Sequence, residues 1–157
     1  MGREVERPSL TGPAVREILL SGTPHRPAGG PLSKIPDDLR YTKDHEWVRL
    51  QGKRVTVGIT DFAQSELTDV VYVELPKVGK VVKAGEVLGT VESVKAVSEI
   101  FAPMGGNVVE ANKGLEDMPE VVNQDPYGKG WMVVLEVTDP NETSRLMDAV
   151  AYRKHVG

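Results

Sequence analysis

The sequence predicts a mainly β fold, a small sandwich or barrel with few helices. From residue 35 onward, short runs rich in β-branched and aromatic residues recur at regular spacing. Glycine and proline fall between these runs and mark turns. Helical periodicity is confined to short stretches, so helices contribute little to the predicted core.

Eight short strands are predicted, each bounded by turn signals. Gln51-Gly52-Lys53 separates the first two and predicts a tight hairpin. Pro76 and Gly79 end the third. The predicted strands cover residues 46–50, 54–59, 69–75, 80–82, 86–93, 96–102, 107–111 and 131–137.

Two helices and one short turn are predicted between and after the strands. Thr60 is a suitable N-cap for a helix over residues 60–67, and residues 115–118 form a short turn before a proline. A C-terminal helix is better signalled, since Asp139 can cap it, Pro140 occupies its first position and Glu142 completes the capping pattern. Its predicted apolar face is Leu146, Met147 and Val150, and Tyr152 opens a second terminal turn.

Residues 1–34 differ from the rest of the chain, because they are rich in proline and glycine and offer at most one or two helical turns. Such a segment buries too little apolar surface to offset its ordering entropy, so we expect a flexible extension before a domain over 35–157. A native tail, an over-extended start and an artificial addition all fit. Glu4, Glu6 and Glu17 disfavour a mitochondrial presequence, which should be poor in acidic residues.

Composition excludes several functional classes. The chain has no cysteine, which removes disulfides and thiolate chemistry, and a net charge of −4, which disfavours a nucleic-acid partner. No apolar run approaches the length of a membrane span. We find no nucleophile–base set, no phosphate-binding loop and no metal-ligand cluster among the three histidines. The sequence therefore predicts a non-catalytic protein with no metal and no membrane or nucleic-acid partner.

One lysine stands between two strand-like runs. Lys95 is flanked by the predicted strands 86–93 and 96–102, so we expect it at the tip of a hairpin, pointing into water. A long, flexible and uncontacted lysine stem suits the attachment of a mobile prosthetic group. Hairpin tips also carry lysine for solubility alone, and the local pattern does not decide between these two roles.

The segment around Lys95, Glu-Ser-Val-Lys-Ala at 92–96, resembles the lipoylation motif of the glycine cleavage H-protein family. Further segments resemble this family in the same order, from about residue 35 to about residue 152. These are His-Glu-Trp-Val at 45–48, Gly-Ile-Thr-Asp-Phe-Ala-Gln at 58–64, Asp-Val-Val-Tyr-Val-Glu-Leu-Pro at 69–76, Ala-Pro-Met-Gly-Gly at 102–106, Leu-Glu-Asp-Met-Pro-Glu-Val-Val-Asn at 115–123 and Asp-Pro-Tyr-Gly-Lys-Gly-Trp at 125–131.

The resemblance implies a barrel-sandwich hybrid of the lipoyl/biotinyl-carrier type, with short peripheral helices and a C-terminal helix. It implies lipoate bound covalently as N6-lipoyllysine at Lys95, attached by a lipoate ligase or a lipoyl/octanoyl transferase. The implied role lies in glycine catabolism and one-carbon metabolism. The carrier would take an aminomethyl group from the P-protein (glycine decarboxylase) to the T-protein (aminomethyltransferase), and the L-protein (dihydrolipoyl dehydrogenase) would reoxidise it.

The resemblance also assigns residues around the arm. Glu92 and Gly106 would help the attaching enzyme recognise the hairpin, although Glu92 could be an ordinary exposed residue and Gly106 a turn glycine at positive φ. The implied cleft for the loaded arm consists of Asp44, His45, Glu46, Ile59 and Glu99. In that cleft, carboxylates would face the cationic aminomethyl group and an apolar wall would face the arm.

Three positions depart from the family pattern. Relatives often carry aspartate where Glu99 stands, a small hydroxyl residue where Asp44 stands, and glycine where Thr68 stands. Glycine suits a helix stop in the left-handed region, which a β-branched residue disfavours. We therefore expect the turn at Thr68 to be rebuilt locally, with a modest effect on stability.

Related carriers remain alternatives. A lipoyl relay protein that donates lipoate to other enzymes, or a lipoyl domain of a 2-oxoacid dehydrogenase complex, would share the fold class. A biotin carrier is disfavoured, because Val94 and Ala96 replace the methionines that usually flank a biotinyl lysine. We expect a bacterial cytoplasmic protein, with the mitochondrial matrix less favoured.

Overall fold

The structure is a computed structural model that describes residues 34–157. The predicted extension over residues 1–34 lies outside the described residues, except for Lys34. A compact unit spans Ile35–His155.

Two antiparallel sheets form this unit. The strands of the larger, six-stranded sheet are β1 (Arg40–Tyr41), β2 (Glu46–Gln51), β3 (Arg54–Ile59), β5 (Val81–Val82), β8 (Gly106–Ala111) and β9 (Val133–Val137). Those of the smaller, three-stranded sheet are β4 (Val70–Glu74), β6 (Val87–Ser93) and β7 (Val97–Phe101). The strand order is β1-β2-β3-β9-β8-β5 in the larger sheet and β4-β6-β7 in the smaller.

The core lies between the two sheets. Val57, Val108 and Leu135 from the larger sheet and Val73 and Val91 from the smaller are fully buried in one apolar cluster. Burial of each such side chain contributes about 1.5–3 kcal/mol relative to exposure. The predicted mainly β, barrel-sandwich hybrid architecture is confirmed. All eight predicted strands are present within two residues of their predicted ends, and the two-residue β1 was not predicted.

The first helix begins and ends close to its predicted residues. Helix α1 (Asp61–Leu67) is capped by Thr60, whose hydroxyl accepts a hydrogen bond from the backbone N–H of Ala63 at 3.2 Å. Two four-residue helices follow later, α2 (Gly114–Asp117) and α3 (Val121–Gln124). The predicted turn at 115–118 corresponds to α2. Helix α3 was missed, because four residues carry no readable helical period.

The predicted C-terminal helix is divided. Asp139 caps a 3₁₀ helix (Pro140–Arg145) as expected, but Leu146 is extended and α4 begins only at Ala149 (Ala149–Val156). Met147 is drawn into a β-bridge, in which it exchanges two backbone hydrogen bonds of 2.8 Å with Tyr41. Val150, predicted on the apolar face, is exposed, whereas Tyr152 is fully buried. Pairing with another part of the chain has overridden the local helical pattern.

The turn after α1 has a backbone conformation that suits glycine. Thr68 has φ 64° and ψ −146°, a positive-φ conformation that lies outside the left-handed helical region. Its backbone N–H donates to the carbonyl of Gln64 at 3.0 Å, and its carbonyl accepts from the Asn123 amide at 2.7 Å. These bonds hold threonine in a region that only glycine occupies freely.

Replacing Thr68 by glycine is therefore expected to stabilise the protein. We expect Thr68→Gly to raise the free energy of unfolding by about 1 kcal/mol, because relief of backbone strain outweighs the greater freedom of glycine in the unfolded chain. Urea denaturation would measure the change. Thr68→Ala is the control, since it keeps a Cβ and should show no such gain. An equal or lower stability of the glycine variant would contradict the strain.

Candidate functional site

Lys95 lies in the turn that joins β6 to β7. The backbone N–H of Ser93 donates to the carbonyl of Ala96 at 2.8 Å and closes the turn. The Ser93 hydroxyl oxygen lies under the turn and accepts from the backbone N–H groups of Lys95 (3.3 Å) and Ala96 (3.1 Å). A short hydroxyl side chain that bonds backbone two and three residues ahead is a common way to fix a tight turn. The sequence of the tip thus fixes its backbone.

The tip is also tied to the neighbouring strand, and the lysine side chain is left free. The N–H of Val94 donates to the carbonyl of Asp69, just before β4, at 3.1 Å. Lys95 is exposed, and its ammonium has no hydrogen-bond or ion-pair partner among residues 34–157. A hydrogen-bonded backbone therefore presents an exposed amine to solvent.

Glu92 lies on β6 near this tip. It is exposed, and its register neighbours are Tyr72 on β4 and Val97 on β7. The carboxylate therefore stands on the outer face of the three-stranded sheet.

Gly106 is in a different setting from the one expected. It begins β8, it is buried, and its φ is not positive, so the expectation of a positive-φ turn glycine is wrong. A Cβ built on Gly106 would lie 2.5 Å from the carbonyl oxygen of Glu136 on β9. Glycine is needed here because two backbones approach closely, a requirement that sequence alone does not reveal.

Four of the five expected cleft residues gather around the start of β2, and the fifth, Glu99, lies on β7. Asp44 and His45 precede the strand, Glu46 begins it, and Ile59 on β3 is the register partner of Glu46. Ile59 is 2% exposed and packs in the central core. Its side chain packs beneath this region and does not form an exposed apolar wall of a cleft.

Glu46 joins the two sheets. Its side chain is 1% exposed, accepts a hydrogen bond from the Thr42 hydroxyl and accepts another, at 3.2 Å, from the backbone N–H of Phe101 on β7. Burial raises the pKa of Glu46 to about 7, although these two hydrogen bonds lower it. The structure thus connects Glu46 to the strand that carries Glu99, which is exposed two residues before Phe101.

The raised pKa of Glu46 makes its contribution to stability depend on pH. Because the folded-state pKa of about 7 exceeds the usual 4.5, protonation favours the folded state. This contribution is fully present below pH 4.5 and is lost as the pH rises through 7. We therefore expect Glu46→Gln to gain stability relative to the unsubstituted protein, by about 3 kcal/mol in total, as the pH rises across that window.

Chemical denaturation at several pH values would measure this relative gain. Glu110→Gln, at an exposed position on β8, is the matched control and should follow the unsubstituted protein. Parallel stability curves for Glu46→Gln and the unsubstituted protein would show that Glu46 does not titrate in this range.

His45 belongs to an aromatic cluster that sequence reasoning did not find. Its Nδ1 lies 2.8 Å from the Tyr152 hydroxyl, which lies 2.8 Å from the Thr60 hydroxyl. Tyr152 stacks on Tyr41 with a centroid distance of 4.6 Å. Burial, and next the charge of His155, lower the pKa of His45. The neutral imidazole that results suits a hydrogen-bonded packing role. The sequence predicts Tyr152 only as the start of a terminal turn, because no local signal connects residues so distant in the chain.

No helix within residues 34–157 has the length and apolar character of a membrane span. No group of three or more His, Cys, Asp or Glu side chains in the same range is arranged to hold a metal ion.

Comparison with known proteins places this chain in a family. A family model described as "Glycine cleavage H-protein" matches residues 39–157. The chain belongs to this family. Among similar relatives, the "Glycine cleavage system H protein" of Anaeromyxobacter sp. (strain K) is 58% identical over 123 residues, which cover 78% of this chain and 96% of the relative. That of Bacillus subtilis (strain 168) is 55% identical over 120 residues, covering 76% and 94%.

A solved structure agrees with the fold. A glycine cleavage system H protein from Mycobacterium marinum matches with a TM-score of 0.71 and 43% sequence identity, covering 76% of this chain and 97% of that protein. The resemblance found in the sequence is therefore confirmed, and the lipoyl-carrier fold agrees with it. The protein is a glycine cleavage system H-protein family member, and this family comprises lipoyl-bearing carriers.

Proposed function

We propose that this chain carries a lipoyl group on Lys95 and shuttles aminomethyl units within a glycine cleavage system, without catalysing a reaction itself. The observation that carries the proposal is the exposed amine at a hydrogen-bonded hairpin tip, which has no partner within the described part of the chain. An amine so placed fits covalent lipoate, because attachment needs access from solvent and the arm then needs freedom to move. Bound there as N6-lipoyllysine, the group would supply a cyclic disulfide that can accept the one-carbon unit and that becomes a dithiol, ready for reoxidation, once the unit is released.

The partners follow from this role. A P-protein would load the carrier, a T-protein would unload it, an L-protein would reoxidise it, and a lipoate ligase or lipoyl/octanoyl transferase would modify it. The similar relatives named above are bacterial, which supports a bacterial cytoplasmic setting for this proposal.

The residues at the start of β2 would receive the returning arm. Strand β7 (Val97–Phe101) runs from the hairpin tip to Phe101, whose backbone N–H bonds Glu46. The four residue-to-residue intervals of this strand span about 13 Å at the usual rise per residue. Glu99 lies along this path with its carboxylate exposed, and Asp44 and His45 flank the far end. We infer that Glu99 and Asp44 attract the positively charged cargo, whereas the buried Glu46 and Ile59 fix the surrounding backbone.

Removing the exposed carboxylate on this path should shorten the life of the loaded state. We expect Glu99→Ala to leave lipoyl attachment unchanged and to speed spontaneous loss of the aminomethyl unit several-fold, because an attractive charge is lost. Release of ammonia or formaldehyde over time would measure it. Glu110→Ala, exposed on another strand, is the control. Equal rates of aminomethyl loss from Glu99→Ala and from the unsubstituted protein would show that Glu99 does not stabilise the loaded state.

A reconstituted system tests the function as a whole. The lipoylated protein, mixed with P-, T- and L-proteins, tetrahydrofolate and NAD, should support glycine-dependent release of carbon dioxide and ammonia in proportion to its concentration. The unlipoylated protein should give only background. Efficient lipoylation without any glycine-dependent turnover would reject the proposed carrier role and would favour donation of lipoate to other enzymes.

A further inference from the structure

Four exposed apolar side chains surround the hairpin tip, and we name them the tip patch: Val71, Tyr72, Val94 and Val97. Val71 and Tyr72 are each 49% exposed, Val94 is 68% exposed and Val97 is 66% exposed. Single exposed apolar residues are ordinary on protein surfaces, but a contiguous group beside one functional residue is not.

The strand register makes these residues one surface. Tyr72 on β4 pairs with Glu92 on β6, and Glu92 pairs with Val97 on β7, so the three form one row across the sheet. The backbone bond from Val94 to Asp69 holds Val94 beside the start of β4. One carboxylate, that of Glu92, therefore stands inside an apolar surface next to Lys95.

A β-bulge enlarges the patch on the β4 side. The register of β4 against β6 shifts between Val70 and Tyr72, and both Val71 and Tyr72 are exposed, whereas Val70 and Val73 are buried. Strict alternation would turn one of two adjacent residues inward, so the bulge directs both outward. Bulges often change the direction of side chains near functional sites. This bulge exposes apolar side chains that do not contribute to the core.

The charges in the next row indicate the kind of partner. Glu74, Thr90 and Glu99 are register neighbours, so two carboxylates lie one row from Glu92 on the same face. An apolar surface with this acidic border matches a partner that presents an apolar recess bordered by basic side chains.

We propose that the tip patch is the docking surface for the enzyme that attaches the acyl group to Lys95. This inference rests on the proposed function. The attaching enzyme must bring its acyl carbonyl into bonding distance of Nζ itself, so its surface must close around the tip. Enzymes that act on the far end of a lipoyl arm have no such need. A patch that includes Val94, the residue next to Lys95, therefore serves the attaching enzyme, with Glu92 held by a basic group.

The test uses the double variant Val71→Ser with Tyr72→Ser, and separately Val97→Ser. Both alter exposed side chains that are outside the core. The matched control is Val81→Ser with Val150→Ser, which removes exposed apolar side chains, 72% and 57% exposed, on β5 and α4. Thermal unfolding first establishes that all variants remain folded.

Purified lipoate ligase, lipoic acid and ATP then measure attachment to each protein. We expect KM for the double variant to rise at least tenfold with little change in kcat, and KM for the control to stay within twofold. Once fully lipoylated, the double variant should support glycine-dependent turnover like the unsubstituted protein. Unchanged attachment kinetics would overturn the proposal, and so would an equal loss in both assays, which would assign the patch to a glycine-processing partner. Failure of the unsubstituted protein to be lipoylated at all would instead reject the proposed function.

Discussion

Lys95→Arg is expected to abolish lipoylation and reduce glycine-dependent turnover to the level of the unmodified protein. Arginine keeps the positive charge and the long stem, so the exposed turn closed by Ser93 and Ala96 should be unaffected. A guanidinium is always protonated and offers no nucleophilic amine for acyl transfer. Intact mass after incubation with ligase would show the missing group, and release of carbon dioxide from glycine would show the missing activity.

Lys83→Arg is a matched control, since Lys83 is also an exposed lysine outside the hairpin. It should be lipoylated and active like the unsubstituted protein. If Lys95→Arg still gained a lipoyl group and supported turnover, the attachment site would lie elsewhere.

Gly106→Ala is expected to lower the free energy of unfolding by about 3 kcal/mol. The added Cβ would lie 2.5 Å from the Glu136 carbonyl oxygen, so β8 and β9 would have to separate. Both strands lie inside the six-stranded sheet, where the buried Val108 and Leu135 pack against the core. A chemical denaturation curve measures the loss.

Gly114→Ala is the control, because its Cβ would meet only the Asn112 side chain at 3.4 Å, an ordinary contact. It should leave stability nearly unchanged.

The same pair of variants addresses recognition by the attaching enzyme. If Gly106→Ala had the same free energy of unfolding as the unsubstituted protein but was lipoylated poorly, Gly106 would act in recognition. The close approach of the Gly106 and Glu136 backbones would then not be what requires glycine. We expect the reverse, a less stable protein that is still modified while folded.

Local patterns predicted most of the fold. Period-two runs and Gly/Pro turns located the strands, and the Thr60 cap located α1, because each of these signals acts within a few residues. The division of the last helix was not predictable in this way, since it depends on the bridge between Met147 and Tyr41. The positive φ of Thr68 has the same origin, because an amide from Asn123 helps hold that turn. Pairings between distant residues overrode the local preference in both cases.

In the candidate site, too, local structure was predictable from the sequence and contacts between distant residues were not. The hairpin around Lys95 is a local structure, so its motif and its flanking strands were enough to locate it. The link from Glu46 to Phe101 and the cluster of His45, Thr60 and Tyr152 join residues far apart in sequence. Burial of Glu46 and Ile59 could not be predicted either, because both sheets must be in place before these side chains lose contact with water.

The identity of the modified residue decides whether this chain is a lipoyl carrier of the proposed kind. Incubation of the full-length chain with lipoate ligase, lipoic acid and ATP, followed by proteolysis and mass spectrometry of the peptides, would identify it directly. We predict one lipoyl group per chain, located on the peptide that contains Lys95. A chain that remains unmodified, or a lipoyl group on a different lysine, would contradict the central claim.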